Sequence, residues 1–308
     1  MQNTSQKQTS FQQNRNDLYQ QVTDTIIRQL EAGTVPWQKP WIGDDQPLMG
    51  IPKNFVTDNR YRGINILLLW GSAMDKGFTT QEWASFKQWS QKNERVRKGE
   101  KGTLIVYYDT IEKEVDGEIE KIPFLKSSHV FNRCQLDSYI AEENKPETNP
   151  VSLVEKLDHV EAFVQNTKAI IEHNGYSAYY SPSLDKINMP VQEAFVDRSW
   201  STATESYYAV LSHELIHWTG STNRLDRIKG KKFGDEKYAA EELIAELGAA
   251  FLCSELGISS TPSMDRASYI SHWLEVLRND GRHIVTAASQ ASKATGYLKE
   301  LQPKGFAL

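Results

Sequence analysis

The sequence predicts an α+β protein of two domains, the first a mixed α/β domain and the second mainly helical. Three observations favour this fold class. The chain has 308 residues, and domains commonly hold about 100–200 residues each. The segment 141–150 is polar and contains two prolines, so it is predicted to be a linker. β-Rich patterns concentrate before this linker, whereas helical periodicity dominates after it.

The first domain is expected over residues 16–140, after a polar, Gln/Asn-rich leader at 1–15 that is predicted to be disordered. Helices are predicted where apolar residues recur on one face, at 17–33 (ended by Gly33), 64–77 and 79–93 (opened by a threonine cap). Strands are predicted from β-branched and aromatic runs at 103–110, 115–122 and 129–136, with Asp116-Gly117 as a hairpin turn.

The second domain is expected over residues 151–308 and is predicted to be mainly helical. A turn-rich stretch at 177–190 has room for two short strands. The helices are predicted at 151–175 (ended by Gly175), from a capping box of Thr202 and Glu205 to Gly220, at 235–257 (ended by Gly257), after Thr261-Pro262, and through 294–301.

The helix opened by Thr202 contains the pattern H-E-x-x-H, formed by His213, Glu214 and His217. Positions i and i+4 lie on one helix face, so both imidazoles can bind one ion while Glu214 reaches a metal-bound water. A catalytic zinc keeps three protein ligands and one open position, and the pKa of its water falls to about 7. The pattern therefore predicts Glu214 as the catalytic base, although a helix that holds two histidines by chance is the alternative interpretation.

The following helix supplies a third ligand of the kind found in glutamate zincins (gluzincins), which places a gluzincin-like metallopeptidase domain in the second half. Glu242 is predicted to be that ligand, and Glu246, one turn later, the acid that orients a ligand histidine. The assignment of Glu246 as the ligand stays open, and Glu241 is expected on a solvated face. Zinc is the expected ion, with manganese, iron or cobalt as alternatives.

The first domain combines positive charge with aromatic residues. Residues 53–101 hold ten Lys/Arg and five Asp/Glu, a local balance of +5, so the rest of a chain of net charge −5 carries −10. This mixture is typical of single-stranded nucleic acid binding, with double-stranded DNA as a weaker partner. The alternative is that the tryptophans build the domain core. Residues predicted to contact DNA are Trp37, Lys39, Trp41, Arg60, Tyr61, Arg62, Lys87, Arg95, Arg97 and Lys98.

Composition also bears on the compartment. The sequence has no apolar run near the roughly 18 residues that a membrane-spanning helix needs, and its N-terminus lacks the apolar core of a secretory signal. Its two cysteines, Cys134 and Cys253, do not suggest a disulfide framework. We therefore expect a cytoplasmic protein with no membrane partner.

Taken together, these motifs resemble the ArdC family of antirestriction proteins from conjugative plasmids, whose N-terminal region is related to TraC-type primases. The resemblance covers nearly the whole chain after the leader. It depends on the segments 30–41, Pro52–Asn65, 95–108, 129–136, 179–190, 212–220, 241–252 and 287–298.

The resemblance implies a single-stranded-DNA-binding domain and a metallopeptidase-like domain that together protect incoming plasmid DNA from host restriction during conjugation. It also adds Asn65, in the family's YRGIN segment, to the DNA-binding residues. Two alternatives stay open. One is a DNA-recruited metallopeptidase that cleaves a host protein such as a restriction subunit, and the weaker one is a primase or replication accessory protein.

Overall fold

The computed structural model divides the chain into two compact units. It describes residues 18–37, 50–115, 118–140, 153–195, 202–227, 236–258, 271, 273–275, 277–278 and 282–306. Both helices and sheets occur, so the predicted α+β class with two domains is confirmed. The predicted leader at 1–15, the linker at 141–150 and the helix start at Thr261-Pro262 lie outside the described residues.

The second unit is not the continuous stretch 151–308 that the sequence suggests. Described residues between 273 and 285 belong to the first unit. One contact within that unit is an ion pair between Arg278 Nη2 and Glu31 Oε1 at 2.6 Å. The composition of a linker can indicate where the chain passes from the first unit to the second. It does not indicate that a later segment of the chain belongs to the first unit again.

The first unit contains helix α1 at residues 18–31, α2 at Ile64–Lys76 and α3 at Phe86–Gln91. The predictions of α1 and α2 are confirmed, and the left-handed glycine Gly77 (φ 66°) ends α2 as helix C-termini favour. The helix predicted at 79–93 is wrong in its first half. There Glu82–Ala84 form a strand, and Ser85, rather than a threonine, caps the short α3 in a capping box with Gln88.

A four-stranded sheet in the order β1-β2-β4-β3 forms the other part of the first unit. Its strands are β1 (Lys53–Asn54), β2 (Glu82–Ala84), β3 (Thr103–Val115) and β4 (Glu118–Asn132). The antiparallel ladder of β3 and β4 runs from Thr103↔Val130 to Val115↔Glu118. The strands predicted at 115–122 and 129–136 are therefore parts of one strand, β4. The predicted turn at Asp116-Gly117 lies outside the described residues. Arg133–Gln135 form a 3₁₀ turn capped by Asn132, which ends the strand before the predicted residue 136.

Tryptophans form much of the core of this unit. Trp83 and Trp89 are fully buried, and the Trp89 indole Nε1 donates to the Phe131 carbonyl at 3.0 Å. The Phe55 ring stacks on the Trp89 ring with their centroids 4.8 Å apart. Burial of Trp83 also explains why β2 is a strand. Trp83 pairs with Asn132 of β4 and is fully buried, and this long-range packing outweighs local helix propensity.

The second unit contains α4 (Leu153–Thr167) and a three-stranded sheet in the order β5-β7-β6. The strands are β5 (Ile170–His173), β6 (Tyr179–Ser181) and β7 (Lys186–Met189), which confirms the two strands predicted within 177–190. The helix predicted to Gly175 is too long. It ends at Thr167, where Lys168 takes φ 59°, and the β-branched pair that follows joins β7 in parallel.

The second half also contains the helices α5 (Ala203–Thr219), α6 (Glu236–Leu256) and α7 (Arg282–Glu300). The capping box predicted for α5 is confirmed, since the Thr202 hydroxyl accepts from the Glu205 backbone N–H and the Glu205 carboxylate from that of Thr202. Gly257, at φ 68°, follows α6 as predicted. Within the described residues, no helix is long and apolar enough to cross a membrane.

Close packing brings α5 and α6 together at Gly248. A Cβ atom added to Gly248 would lie 2.8 Å from Cγ1 of Ile216, inside the normal contact distance. Ile216 is fully buried and directly precedes His217. The glycine therefore sets the spacing between the helix that carries the histidines and the helix that carries Glu242.

We predict that Gly248→Ala is less stable than Gly296→Ala. Both glycines are helical, so the gain in helix propensity is similar, but nothing lies within 4 Å of a Cβ atom at Gly296. The overpacking against Ile216 should lower the free energy of unfolding of Gly248→Ala by about 1–3 kcal/mol relative to Gly296→Ala. Urea unfolding of both variants measures the difference, and equal stabilities would contradict the close packing.

Candidate metal centre

Three ligand-type side chains from two helices converge on one point. His213 and His217 lie one turn apart on α5, with their Nε2 atoms 3.1 Å from each other. Glu242 on α6 brings Oε2 to 3.5 Å from His213 Nε2 and Oε1 to 3.4 Å from His217 Nε2. The structure thus brings together the three residues that the sequence predicts as ligands.

The spacing of these atoms fits a small divalent cation. Ligand atoms at 2.0–2.2 Å from a tetrahedral zinc lie about 3.3–3.6 Å from one another, close to the separations seen here. One ligand atom from each of His213, His217 and Glu242 lies within 4.8 Å of the others. Two imidazole nitrogens and one carboxylate form a set that zinc, manganese or another transition metal accepts.

Charge at the centre is balanced between the acids and the histidines. Burial opposes ionisation of Glu242, but hydrogen bonds from His213 and His217 outweigh it and hold the pKa of Glu242 well below its usual range. Burial would likewise lower the pKa of His217, yet its hydrogen bonds to Glu241 and Glu242 raise that pKa to about 10. The two carboxylates thus favour positive charge at this position, whether on the imidazole of His217 or on a bound cation.

Glu214 lies beside this set, on the buried side of α5, and its side chain is only 6% exposed. Burial raises the pKa of its carboxyl, and the nearby His213 and His217 oppose that shift. The carboxylate also accepts a hydrogen bond from the backbone N–H of Tyr180 in β6. A carboxyl group fixed in orientation, with its pKa moved toward neutrality, has the properties of a general base or acid.

Glu241 does not lie on a solvated face, and that expectation is wrong. Its side chain is 14% exposed, and Oε1 lies 3.4 Å from Nδ1 of His217. The Arg227 guanidinium donates to both carboxylate oxygens, from Nε at 3.1 Å and from Nη2 at 2.9 Å. Glu241 therefore holds the ring nitrogen of His217 that faces away from Glu242, which fixes the ring orientation.

Arg227 joins this carboxylate to the end of α5. Its Nη2 donates to the Ile216 carbonyl at 2.7 Å and its Nη1 to the Thr219 hydroxyl at 3.0 Å. The backbone N–H of Arg227 bonds the Gly220 carbonyl at 2.8 Å, so the loop after the helix folds back on it. The sequence reasoning missed Arg227. Its one signal was an arginine soon after the glycine that ends the motif helix.

Glu246 lies one turn beyond Glu242 on α6 and is half-buried. Its predicted role in orienting a ligand histidine stays a prediction. In the structure, the acid that contacts a ligand histidine is Glu241, which directly precedes Glu242 and lies 3.4 Å from Nδ1 of His217.

Tryptophan stacking on DNA is not supported within the described residues of the first half. Trp37 is 2% exposed, and Trp70, Trp83 and Trp89 are also buried, because their large apolar surfaces form the core. These tryptophans therefore agree with the alternative interpretation, in which they build the core, and not with a surface on which bases stack. Lys39 and Trp41 lie outside the described residues.

Two polar members of the predicted DNA-binding set are committed to internal contacts. Arg97 donates to the carbonyls of Cys134 and Leu136 at 2.6 and 2.8 Å and pairs with Glu100. The Asn65 amide donates to the Val106 carbonyl at 2.7 Å and accepts from the Val106 N–H at 2.8 Å. The tyrosine of the set, Tyr61, is half-buried. The exposed members are Arg60, Arg62, Lys87, Arg95 and Lys98.

Comparison with known proteins gives matches for both halves. The family described as the N-terminal domain of anti-restriction factor ArdC matches residues 16–131, and a zincin-like metallopeptidase family matches residues 158–290. The metal-free crystal structure of the antirestriction ArdC protein from plasmid R388 is similar, with 40% identity, a TM-score of 0.73, and 92% of this chain and 97% of that chain covered. Its Mn(II)-bound structure has 37% identity and the same TM-score over 94% and 99%.

Curated relatives extend these similarities. The uncharacterized protein y4eC of Sinorhizobium fredii is 36% identical over 295 residues, which cover 93% of this chain and 92% of that protein. A DNA primase TraC of Escherichia coli is 35% identical over 93% of this chain, and a second is 33% identical over 92%. The chain spans only 27% and 20% of the lengths of these two primases.

We predict that Glu242→Ala removes bound metal and that Glu246→Ala does not. Among the described residues, Glu242 alone brings a carboxylate near both histidine Nε2 atoms. Elemental analysis of protein purified without chelators should give about one equivalent for wild type and for Glu246→Ala, and less than about half an equivalent for Glu242→Ala. The opposite pattern would make Glu246 the ligand.

We also predict that Arg227→Ala and Glu241→Gln each weaken metal binding by about 10- to 100-fold, the usual cost of losing a group that orients a ligand. Competition with a chromophoric chelator measures this affinity. Asp185→Asn is the matched control, because it breaks another arginine–carboxylate pair, with Arg224, that makes no contact with the histidines. An equal loss in Asp185→Asn would mean that the effect is general destabilisation.

Proposed function

Because the chain belongs to the ArdC family of antirestriction proteins, we propose that it protects incoming plasmid DNA from host restriction during conjugation. In this proposal the first unit binds single-stranded DNA and the second unit binds a divalent metal through His213, His217 and Glu242. The protein acts in the cytoplasm, where entering DNA meets restriction enzymes.

The observation that carries the metal function is the convergence of three ligand atoms within 4.8 Å of one another. The matched zincin-like family and the Mn(II)-bound structure of the R388 protein support a divalent ion. Zinc and manganese both suit the donor set, and we propose zinc because two of the three donors are imidazole nitrogens.

The chemistry open to this centre is hydrolytic. A divalent ion supplies Lewis acidity and lowers the pKa of a bound water. Glu214 can take up a proton beside the ligand set, since burial moves the pKa of its carboxyl upward and the Tyr180 N–H fixes the orientation of the carboxylate. Glu241 and Arg227 hold the His217 ring in place.

DNA binding is proposed for the surface of the first unit. The excess of positive charge in residues 53–101 favours a polyanion, and Arg60, Arg62 and Lys87 are exposed. The matching N-terminal ArdC domain and the similarity to DNA primases support a DNA partner. Coating of the entering strand is the leading explanation of protection.

A second function, a DNA-recruited metallopeptidase, is favoured by one specific observation. Glu214 is buried next to two histidines that share a potential ligand position with Glu242, the arrangement that peptide hydrolysis needs. The target would be a host protein such as a restriction subunit. A replication accessory role, suggested by the primase similarity, is the weaker alternative.

Plasmid transfer into restricting and non-restricting recipients separates these functions. We expect Glu214→Gln, which keeps the side-chain volume, to retain metal and single-strand binding and to protect the plasmid as well as wild type does. If protection instead falls to the level of a plasmid without the gene while both binding activities stay intact, the metallopeptidase function replaces the coating function. Transfer into a non-restricting recipient is the control for expression effects.

A further inference from the structure

A cleft in the first unit lies between the segment Arg60–Arg62 and the face of the β3–β4 hairpin. Its volume is about 720 Å³, within the range of roughly 300–1,000 Å³ that small-molecule sites occupy. Apolar side chains of Ile105 and Val130 contribute to its lining, and Tyr107 is 44% exposed beside them. A flat ring thus stands at an apolar surface that is open to solvent.

The register of the hairpin fixes which side chains share this face. Ile105 pairs with Ser128 and Tyr107 with Lys126, and directly opposite residues of an antiparallel pair point to the same side. Lys126 is exposed. The ring of Tyr107 therefore has a cation as its cross-strand neighbour and a small polar residue diagonally next to it.

Two basic residues contribute to the lining of the cleft. Arg60 and Arg62 line it and are exposed. Among the described residues that line it, none is acidic. This charge selects an anionic occupant, and the open aromatic ring selects one with a planar face.

The cleft is held open by contacts that do not involve an occupant. The Asn65 amide makes two hydrogen bonds to the backbone of Val106, at 2.7 and 2.8 Å, which fasten the start of α2 to β3. On the other side, Asn54 Nδ2 bonds the Gln88 amide oxygen at 3.2 Å. The segment with the two arginines therefore stands at a fixed distance from Tyr107, and binding costs little reorganisation.

We propose that this cleft seats one unpaired nucleotide of single-stranded DNA, with its base stacked on Tyr107 and its flanking phosphates against Arg60 and Arg62. The inference rests on the proposed function, since it names the subsite through which that DNA is bound. A base within a duplex has both faces covered by its neighbours, so the site discriminates against double-stranded DNA. Tyr107, Ser128 and Lys126 are absent from the residues that the sequence analysis assigned to DNA.

The test measures affinity for a fluorescently labelled oligonucleotide of mixed sequence, using the full-length protein. Tyr107→Ala should weaken binding by about 5- to 150-fold, which corresponds to the loss of one stacked base. Tyr107→Phe keeps the ring and should stay within about threefold of wild type. Phe86→Ala is the matched control, because Phe86 is 57% exposed in the same unit but does not line the cleft.

Two further readouts locate the nucleotide. Arg62→Ala should weaken binding and reduce the slope of log affinity against log salt by about one. A 5-iododeoxyuridine placed in the oligonucleotide should photocross-link to the peptide that contains Tyr107. Thermal unfolding of each variant verifies that the fold is intact.

The outcomes separate the two levels of the proposal. If wild type does not bind the oligonucleotide, the proposed single-strand binding fails. If wild type binds and Tyr107→Ala binds equally well, or cross-links map outside the cleft, the cleft proposal fails while single-strand binding stands. Equal affinity of wild type for a blunt duplex also overturns the subsite, because a duplex cannot insert a base without unpairing.

Discussion

The close approach of α5 and α6 is the constraint on which the metal centre depends. Two histidines one turn apart face the same way on any helix, but the third ligand belongs to a different helix. Gly248 permits that helix to approach, because a larger residue there would meet Ile216 at 2.8 Å. Arg227 then fastens the end of α5 to Glu241 of α6 through hydrogen bonds of 2.7 to 3.1 Å. The ligand geometry is thus a product of helix packing more than of loop structure.

The sequence predicts most of the second-half site because the chemistry there is local. Helical spacing alone places His213, Glu214 and His217 on one helix. Glu242 is predicted from the glutamate that glutamate zincins carry on the following helix. Arg227 and Glu241 could not be assigned in the same way. Their roles depend on a loop that turns back through backbone bonds to Thr219 and Gly220, and a one-dimensional pattern does not record such a return. Glu241 was expected in solvent for the same reason.

The first half was harder to predict, because tryptophans serve equally well in cores and on binding surfaces. Burial of Trp83 and Trp89 reflects how strand β2 pairs with β4, a contact between residues about 50 positions apart that also overrides local helix preference. Long-range pairing likewise joined two predicted strands into β4. The regular elements with strong local signals, such as α2 and the capped α5, were predicted closely.

Strand β3 is the last strand of its sheet, and an edge of this kind can recruit a strand from another molecule. The Asn65 side chain satisfies both backbone groups of Val106, as a neighbouring strand would. The start of α2 thereby occupies the position where intermolecular pairing would begin. At this residue of the edge strand, one side-chain amide takes the place of a peptide group from a further strand, so an incoming strand cannot pair with Val106 unless it displaces Asn65.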